Sequence, residues 1–226
     1  MEATARLLLA AHGTASPAGI ASLHALSELV AAARPSVSVS LAFLDVSTPT
    51  VASSLDDSPT VVVPGLLSTG YHVETDLPAL IGPFKATRVA RHFGPDPLVL
   101  AAVADRLSAV GPIPGPGPVA LVTAPSSRRG AAVEVGAAAI ALGQRLGRSV
   151  VPLVAGRGLR EALGEAGTGR TAAVATYLLA EGRFASMVRR AAEGLCPVAP
   201  VLGAHPLLAE LIWRRYDECR GVPAVG

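Results

Sequence analysis

Residues 60–80 read TVVVPGLLSTGYHVETDLPAL, and the order of residue types in that stretch decides the fold. Val61, Val62 and Val63 form a β-branched run without a polar break, the pattern of a strand buried on both faces. Pro64-Gly65 ends the run. Small residues then lead to Gly70-Tyr71-His72, with Glu74 and Asp76 close behind. A buried strand that empties into a Gly-containing loop carrying a His and carboxylates is how an α/β protein positions chemistry. Parallel sheets bind ligands beyond the carboxyl ends of their strands.

The same alternation runs through the chain on either side. Arg6–Ala11 is a short apolar strand that ends at His12-Gly13-Thr14, and Ser16-Pro17 supplies an N-cap and a first-turn proline for a helix that stops at Arg34-Pro35. Val37–Leu44 is a second strand, followed by a short helix to Leu55. Ala86–Ala90 is a fourth strand, and Asp96-Pro97 opens a helix through Arg106. Gly111–Pro118 alternates Pro and Gly, can form neither helix nor ladder, and divides the chain. The pattern then restarts with strands at Val119–Thr123, Ser149–Val154, Thr171–Tyr177 and Val198–Leu202. Helices are expected at 130–146, 159–164, after Phe184 and around Trp213. Phe93-Gly-Pro-Asp-Pro-Leu98 aligns with Leu202-Gly-Ala-His-Pro-Leu207 at an offset of 109, and His12 with Ala124 at 112. The expected fold is therefore α/β: two similar lobes, residues 1–110 and 119–226, each a four-stranded parallel sheet flanked by helices, with a cleft between them.

Bulk properties narrow the function. The longest uncharged run, Leu107–Ser127, holds five prolines and three glycines, so it is no membrane helix. The start, MEATARLLLAAHG, has an acidic residue and only a short apolar run, unlike a signal peptide. Cys196 and Cys219 make no disulfide framework. The chain reads as soluble and cytoplasmic. A net charge of +2 gives no argument for nucleic acid. Its distribution is uneven: residues 1–110 carry six basic against nine acidic side chains, and residues 111–226 carry thirteen against eight. That division suits a metal cation on one side and an anionic ligand on the other.

Under the internal alignment His12 and His72 both fall at strand ends of the first lobe, with Ala124 and Phe184 in the matching places of the second. If strands one and three are neighbours, the two imidazoles can share one ion. Imidazole suits divalent iron, cobalt, nickel and zinc, and a site with few strong protein ligands suits transfer better than storage. A neutral His also accepts protons, with Asp45 and Glu74 as candidate supporting carboxylates.

HGT after the first strand, FLD closing the second and LLSTGYHVETDLP after the third resemble the class II chelatases of tetrapyrrole biosynthesis, in the two-lobed sirohydrochlorin cobalt- and ferrochelatase form. The resemblance is strongest over residues 6–106. It implies insertion of a divalent metal (Fe2+, Co2+ or Ni2+) into sirohydrochlorin, in sirohaem or cobalamin formation, with no organic cofactor. It also implies that His12 and His72 bind the metal and take up the pyrrole protons. Glu74 stands where this family is expected to have a basic residue. The ring is rimmed with carboxylates, so Arg128, Arg129 and Arg183 are its candidate cations, and Ser68, Thr69, Gly70 and Tyr71 are candidates to lie against its face. A monomer or homodimer fits. A non-catalytic carrier of metal or tetrapyrrole would keep the same features.

The remaining histidines read differently. His24 is expected at a boundary or the surface, His92 at the surface with the cleft as its alternative, and His205, aligned with Asp96, at a helix start. A histidine phosphatase would need Arg in place of Ala11, and GRGLREALGEAG lacks the spacing of a dinucleotide loop.

Overall fold

The computed structural model describes residues 5–70, 75–165 and 170–221. Four parallel strands, β1 (Arg6–Ala11), β2 (Val39–Phe43), β3 (Thr60–Pro64) and β4 (Thr87–Val89), form the first sheet in the order β2-β1-β3-β4. Strands one and three are thus neighbours, in register from Arg6 beside Thr60 to Ala10 beside Pro64. Val61, Val62 and Val63 are at most 2 % exposed, as the unbroken β-branched run requires. Helices α1 (Pro17–Ala33), α2 (Leu77–Ile81) and α3 (Pro97–Ser108) follow β1, β3 and β4. The short helix expected before Leu55 is a single 3-10 turn, Ala52–Ser54.

The second sheet repeats the order, β6-β5-β7, with β5 (Val119–Thr123), β6 (Val150–Val154) and β7 (Ala173–Tyr177). It is accompanied by α4 (Arg129–Leu146), α5 (Leu159–Gly164), α6 (Arg183–Ala192) and α7 (Pro206–Gly221). It holds three strands where four were expected. The segment expected as a fourth, Val198–Leu202, runs beside β7 but forms a single parallel bridge, Val198 to Val174. Pro197 and Pro200 have no N–H to give a ladder. The Thr176 hydroxyl instead donates to Ala199 O at 2.6 Å.

The sheets divide at the Gly-Pro linker; the helices do not. α3 packs on β7 and α4 of the second sheet, and α7 returns to pack on α1 and β3 of the first. Trp213 Nε1 donates to Val30 O at 3.1 Å, Tyr216 Oη to Ala5 O, and Arg34 grips Asp217 through two bonds of 2.8 and 2.7 Å. One buried cluster accordingly runs from Leu7 and Leu23 through Val99 and Leu121 to Tyr177 and Trp213.

The internal repeat survives as paired helix caps. Asp96 Oδ1 accepts from Leu98 N at 3.0 Å at the start of α3, and His205 Nδ1 accepts from Leu207 N at 3.3 Å at the start of α7. Asp96 is also the buried anchor of Arg214 and Arg215, the latter at 2.8 Å. Burial works to raise its pKa, but the Leu98 N–H and the two guanidiniums outweigh it and hold the carboxyl below its ordinary range.

For His205 burial is the main effect, with Arg106 adding to it and Asp105 opposing, and the imidazole pKa lies below its ordinary value. A neutral ring is what the cap needs, because a protonated Nδ1 cannot accept. The unfolded chain takes up this proton near pH 6.5, and the folded chain does so only lower down. The contribution to stability is therefore complete above that pH and is lost as pH falls toward the folded pKa. Urea unfolding at pH 7.5, 6.5, 5.5 and 5.0 should show this loss in the wild type. His205→Asn, which keeps an acceptor and cannot titrate, should show a shallower loss; equal slopes would refute the role.

Candidate active site

Between the sheets lies a cleft of ≈ 1100 Å³, walled by segments that follow β1, β3, β5 and β7. Each wall is the carboxyl end of a strand, where parallel sheets present their loops. His12 is exposed on the β1 wall. Its loop is fixed from below by the end of β2. Leu44 N and Asp45 N donate to Ala11 O and His12 O at 2.9 and 3.0 Å, and Ser47 Oγ both accepts from Thr14 N and donates to Thr14 O, each at 3.0 Å. Gly13 has φ +98°, and a Cβ there would stand 2.0 Å from Asp45 O. The HGT and FLD strings are thus the two halves of one turn assembly.

Ser68, Thr69 and Gly70 line the β3 wall. Tyr71, His72 and Glu74 lie outside the described residues. On the opposite wall, Ala124 and Phe184 hold the positions that match His12 and His72 in the internal sequence alignment, and Arg183 lines the same wall at the start of α6. Arg189 also lines it and is paired with Glu181 through bonds of 2.9 and 2.7 Å. Asp45 is exposed and accepts from Val46 N at 2.7 Å, holding that β-branched residue at φ +65° on the cleft wall. Arg128 is half-buried and donates to Thr75 Oγ1 at 3.2 Å, and Arg129 is exposed; neither is among the residues that line the cleft.

The lobes touch at the cleft floor with almost no space between backbones. Thr14 Oγ1 donates to Glu181 O at 3.0 Å, and a Cβ on Gly19 would stand 2.2 Å from that same carbonyl oxygen. On the other side Tyr177 Oη donates to Leu67 O at 3.1 Å. Burial raises the Tyr177 pKa, and the carboxylates of Glu134 and Asp96 raise it further, so the hydroxyl stays a donor. Glu134 on α4 accepts from Thr69 N at 2.5 Å and from Thr69 Oγ1 at 2.6 Å. His92 Nε2 stands 3.3 Å from the same carboxylate. His92 is thus a half-buried partner of Glu134, not the surface residue expected from sequence.

Among the described residues no group of three or more His, Cys, Asp and Glu side chains converges to hold a metal. Nor is any helix among them long and apolar enough to cross a membrane.

Residues 6–110 match the family model CbiX. That stretch, somewhat under half of the chain, is similar to the CbiX family. It carries both the His12 loop and the 65–70 loop. No curated protein is significantly similar in sequence to the chain. Solved structures resemble it over nearly its whole length. SirB from Bacillus subtilis with Fe3+ is 21 % identical, with TM-score 0.75, over 96 % of this chain and 95 % of that one. The sirohydrochlorin chelatase SirB from Bacillus subtilis subspecies spizizenii in complex with cobalt is 21 % identical, with TM-score 0.79, over 97 % of each chain. CbiX, described as the terminal enzyme for sirohaem biosynthesis in denitrifying bacteria, is 20 % identical, with TM-score 0.69, over 94 % and 98 %. At this identity the likeness establishes a two-lobed chelatase-type fold.

The close approach at Gly19 yields a direct test. Gly19→Ala sets a methyl group against backbone that cannot rotate away, so the lobes must part. A loss of about 1–3 kcal/mol in urea unfolding is expected; unchanged stability would show that the two loops are not in firm contact.

Proposed function

We propose that this protein is a chelatase that inserts a divalent metal, Fe2+ or Co2+, into sirohydrochlorin. The observation that carries this reading is the one-sided cleft. An imidazole, His12, stands at the end of the central strand of the CbiX half, and Ala124 and Phe184 form an inert wall opposite. The family of residues 6–110 and the names borne by the similar structures, sirohydrochlorin chelatases with iron or cobalt, support the substrate.

In this reading a flat ring lies between the two walls, and the small residues Ser68, Thr69 and Gly70 let backbone approach its face. Ring carboxylates need cations and N–H donors. Arg183 makes no side-chain hydrogen bond or ion pair among the described residues, and it sits on the first turn of α6, where backbone N–H groups also point outward. Arg128 and Arg129, at the start of α4, extend that basic rim. The metal is a substrate. His12 and His72 hold it with water completing its coordination, which keeps the ion labile enough to pass on. As the metal bonds to the ring nitrogens, two pyrrole N–H protons must leave, and two neutral imidazoles are the acceptors at hand. No organic cofactor has a step in this scheme. The cleft is lined from both halves of one chain, so a monomer is a complete unit whether or not a homodimer forms. The proposed setting is the cytoplasm.

Anaerobic incubation with sirohydrochlorin and excess Co2+ or Fe2+ should change the ring's visible spectrum over many turnovers, faster than without protein. His12→Ala and His72→Ala should each lower kcat about 10²–10⁴-fold. One equivalent of change and no more would identify a carrier in place of an enzyme. Arg183→Glu should raise KM for the ring with little change in KM for the metal; an unchanged ring KM would remove Arg183 from the site.

A further inference from the structure

The chain that leads into His72 is fastened from the other lobe. Its two bonds from Thr69 end on one carboxylate, Glu134, which belongs to α4 and lies 65 positions away in sequence. A carboxylate that receives both the backbone N–H and the hydroxyl of one residue fixes that residue's position and orientation together. Glu134 is itself held. It projects from the second turn of an 18-residue helix, and His92 Nε2 lies 3.3 Å from its Oε2. His92 O in turn accepts from Arg215 Nε at 3.3 Å, and Arg215, 1 % exposed, is bound to Asp96. Beyond His72 the same helix end reaches the chain again, through Arg128 and Thr75 at 3.2 Å. Residues on both sides of His72 are thus tied to α4, which carries none of the cleft's imidazoles.

We propose that Glu134 is a positioning residue for metal insertion. It touches neither ring nor metal, and it acts by holding Thr69, so that the chain runs on to His72 from a fixed point. This rests on the chelatase reading above. It assigns to the second lobe a part in the chemistry that its missing histidines conceal. Displacement of a reacting group by about 1 Å can cost about 10²-fold in rate, so loss of the carboxylate should appear mainly in kcat.

The experiment compares wild type, Glu134→Ala and Glu134→Gln in steady-state Co2+ insertion into sirohydrochlorin, with amide hydrogen exchange of the peptide spanning residues 65–70 as a second readout. Gln keeps the length and can accept from Thr69 N while its amide donates to Thr69 Oγ1. Glu134→Ala should lower kcat about tenfold or more, leave KM for the ring within about twofold, and speed exchange in the 65–70 peptide. Glu134→Gln should recover most of kcat and slow that exchange again. Equal kcat in wild type and Glu134→Ala, or unchanged exchange, would overturn the inference. So would an equal loss in Ala and Gln variants, which would point to the charge itself. If Glu134→Ala does not fold, Thr69→Val decides: faster exchange with a fall in kcat supports the inference, and wild-type values for both overturn it. A wild-type protein that inserts no metal, yet shows the Glu134-dependent exchange, would defeat the chelatase reading and leave the tether standing.

Discussion

Leu67, Thr69 and Thr75, on the segment after β3, are held by hydrogen bonds from the other lobe. Tyr177 binds Leu67 O, Glu134 binds Thr69 twice, and Arg128 binds Thr75. A loop of small residues cannot fix its own geometry, because Ser, Thr and Gly bury little surface and Gly restrains φ least of all. Its order has to come from outside, and the second sheet and α4 supply it. The exchange of terminal helices makes those supports rigid. With α3 packed on β7 and α7 packed on β3, neither sheet can shift without disturbing the shared core.

This arrangement gives the duplicated halves different tasks. The repeat is still visible at Asp96 and His205, which cap α3 and α7 in the same way 109 residues apart. At the strand ends it has diverged: the cleft wall after β1 carries His12, and the wall after β5 carries Ala124 in the matching place. The second half has kept the cations, the N-terminus of α6 and the carboxylate that grips Thr69.

Much of this was legible in the sequence, for physical reasons. A short apolar run closed by a loop signal specifies a buried strand almost by itself, so β1, β3, β5 and β7 could be read directly, whereas the adjacency of β1 and β3 was a condition that only the fold fulfils. The Gly-Pro linker was equally plain. Reading failed where the deciding partner is remote. Glu134 lies on a helix whose neighbours Ala132 and Val133 are exposed, so periodicity marks it as solvent-facing; only the fold brings Thr69 to it. His92 was misread for the same reason, since its partner is that carboxylate. The reduced fourth strand of the second lobe did carry a signal, Pro197 and Pro200, which strand propensity around Val198 obscured. The helix exchange has no local signature, because α3 and α7 are apolar on the same faces whichever sheet they cover.

The central claim is that one wall of the cleft handles the metal and the other holds that wall in place. X-ray absorption of the anaerobic protein with one equivalent of Co2+ tests it most directly, using wild type and His12→Ala. The account predicts two imidazole nitrogens at about 2.0–2.1 Å, taking the zinc–imidazole distance as a guide, with oxygen atoms completing the shell, and one imidazole in the variant. A shell of oxygen alone, or one left unchanged by loss of His12, would contradict it.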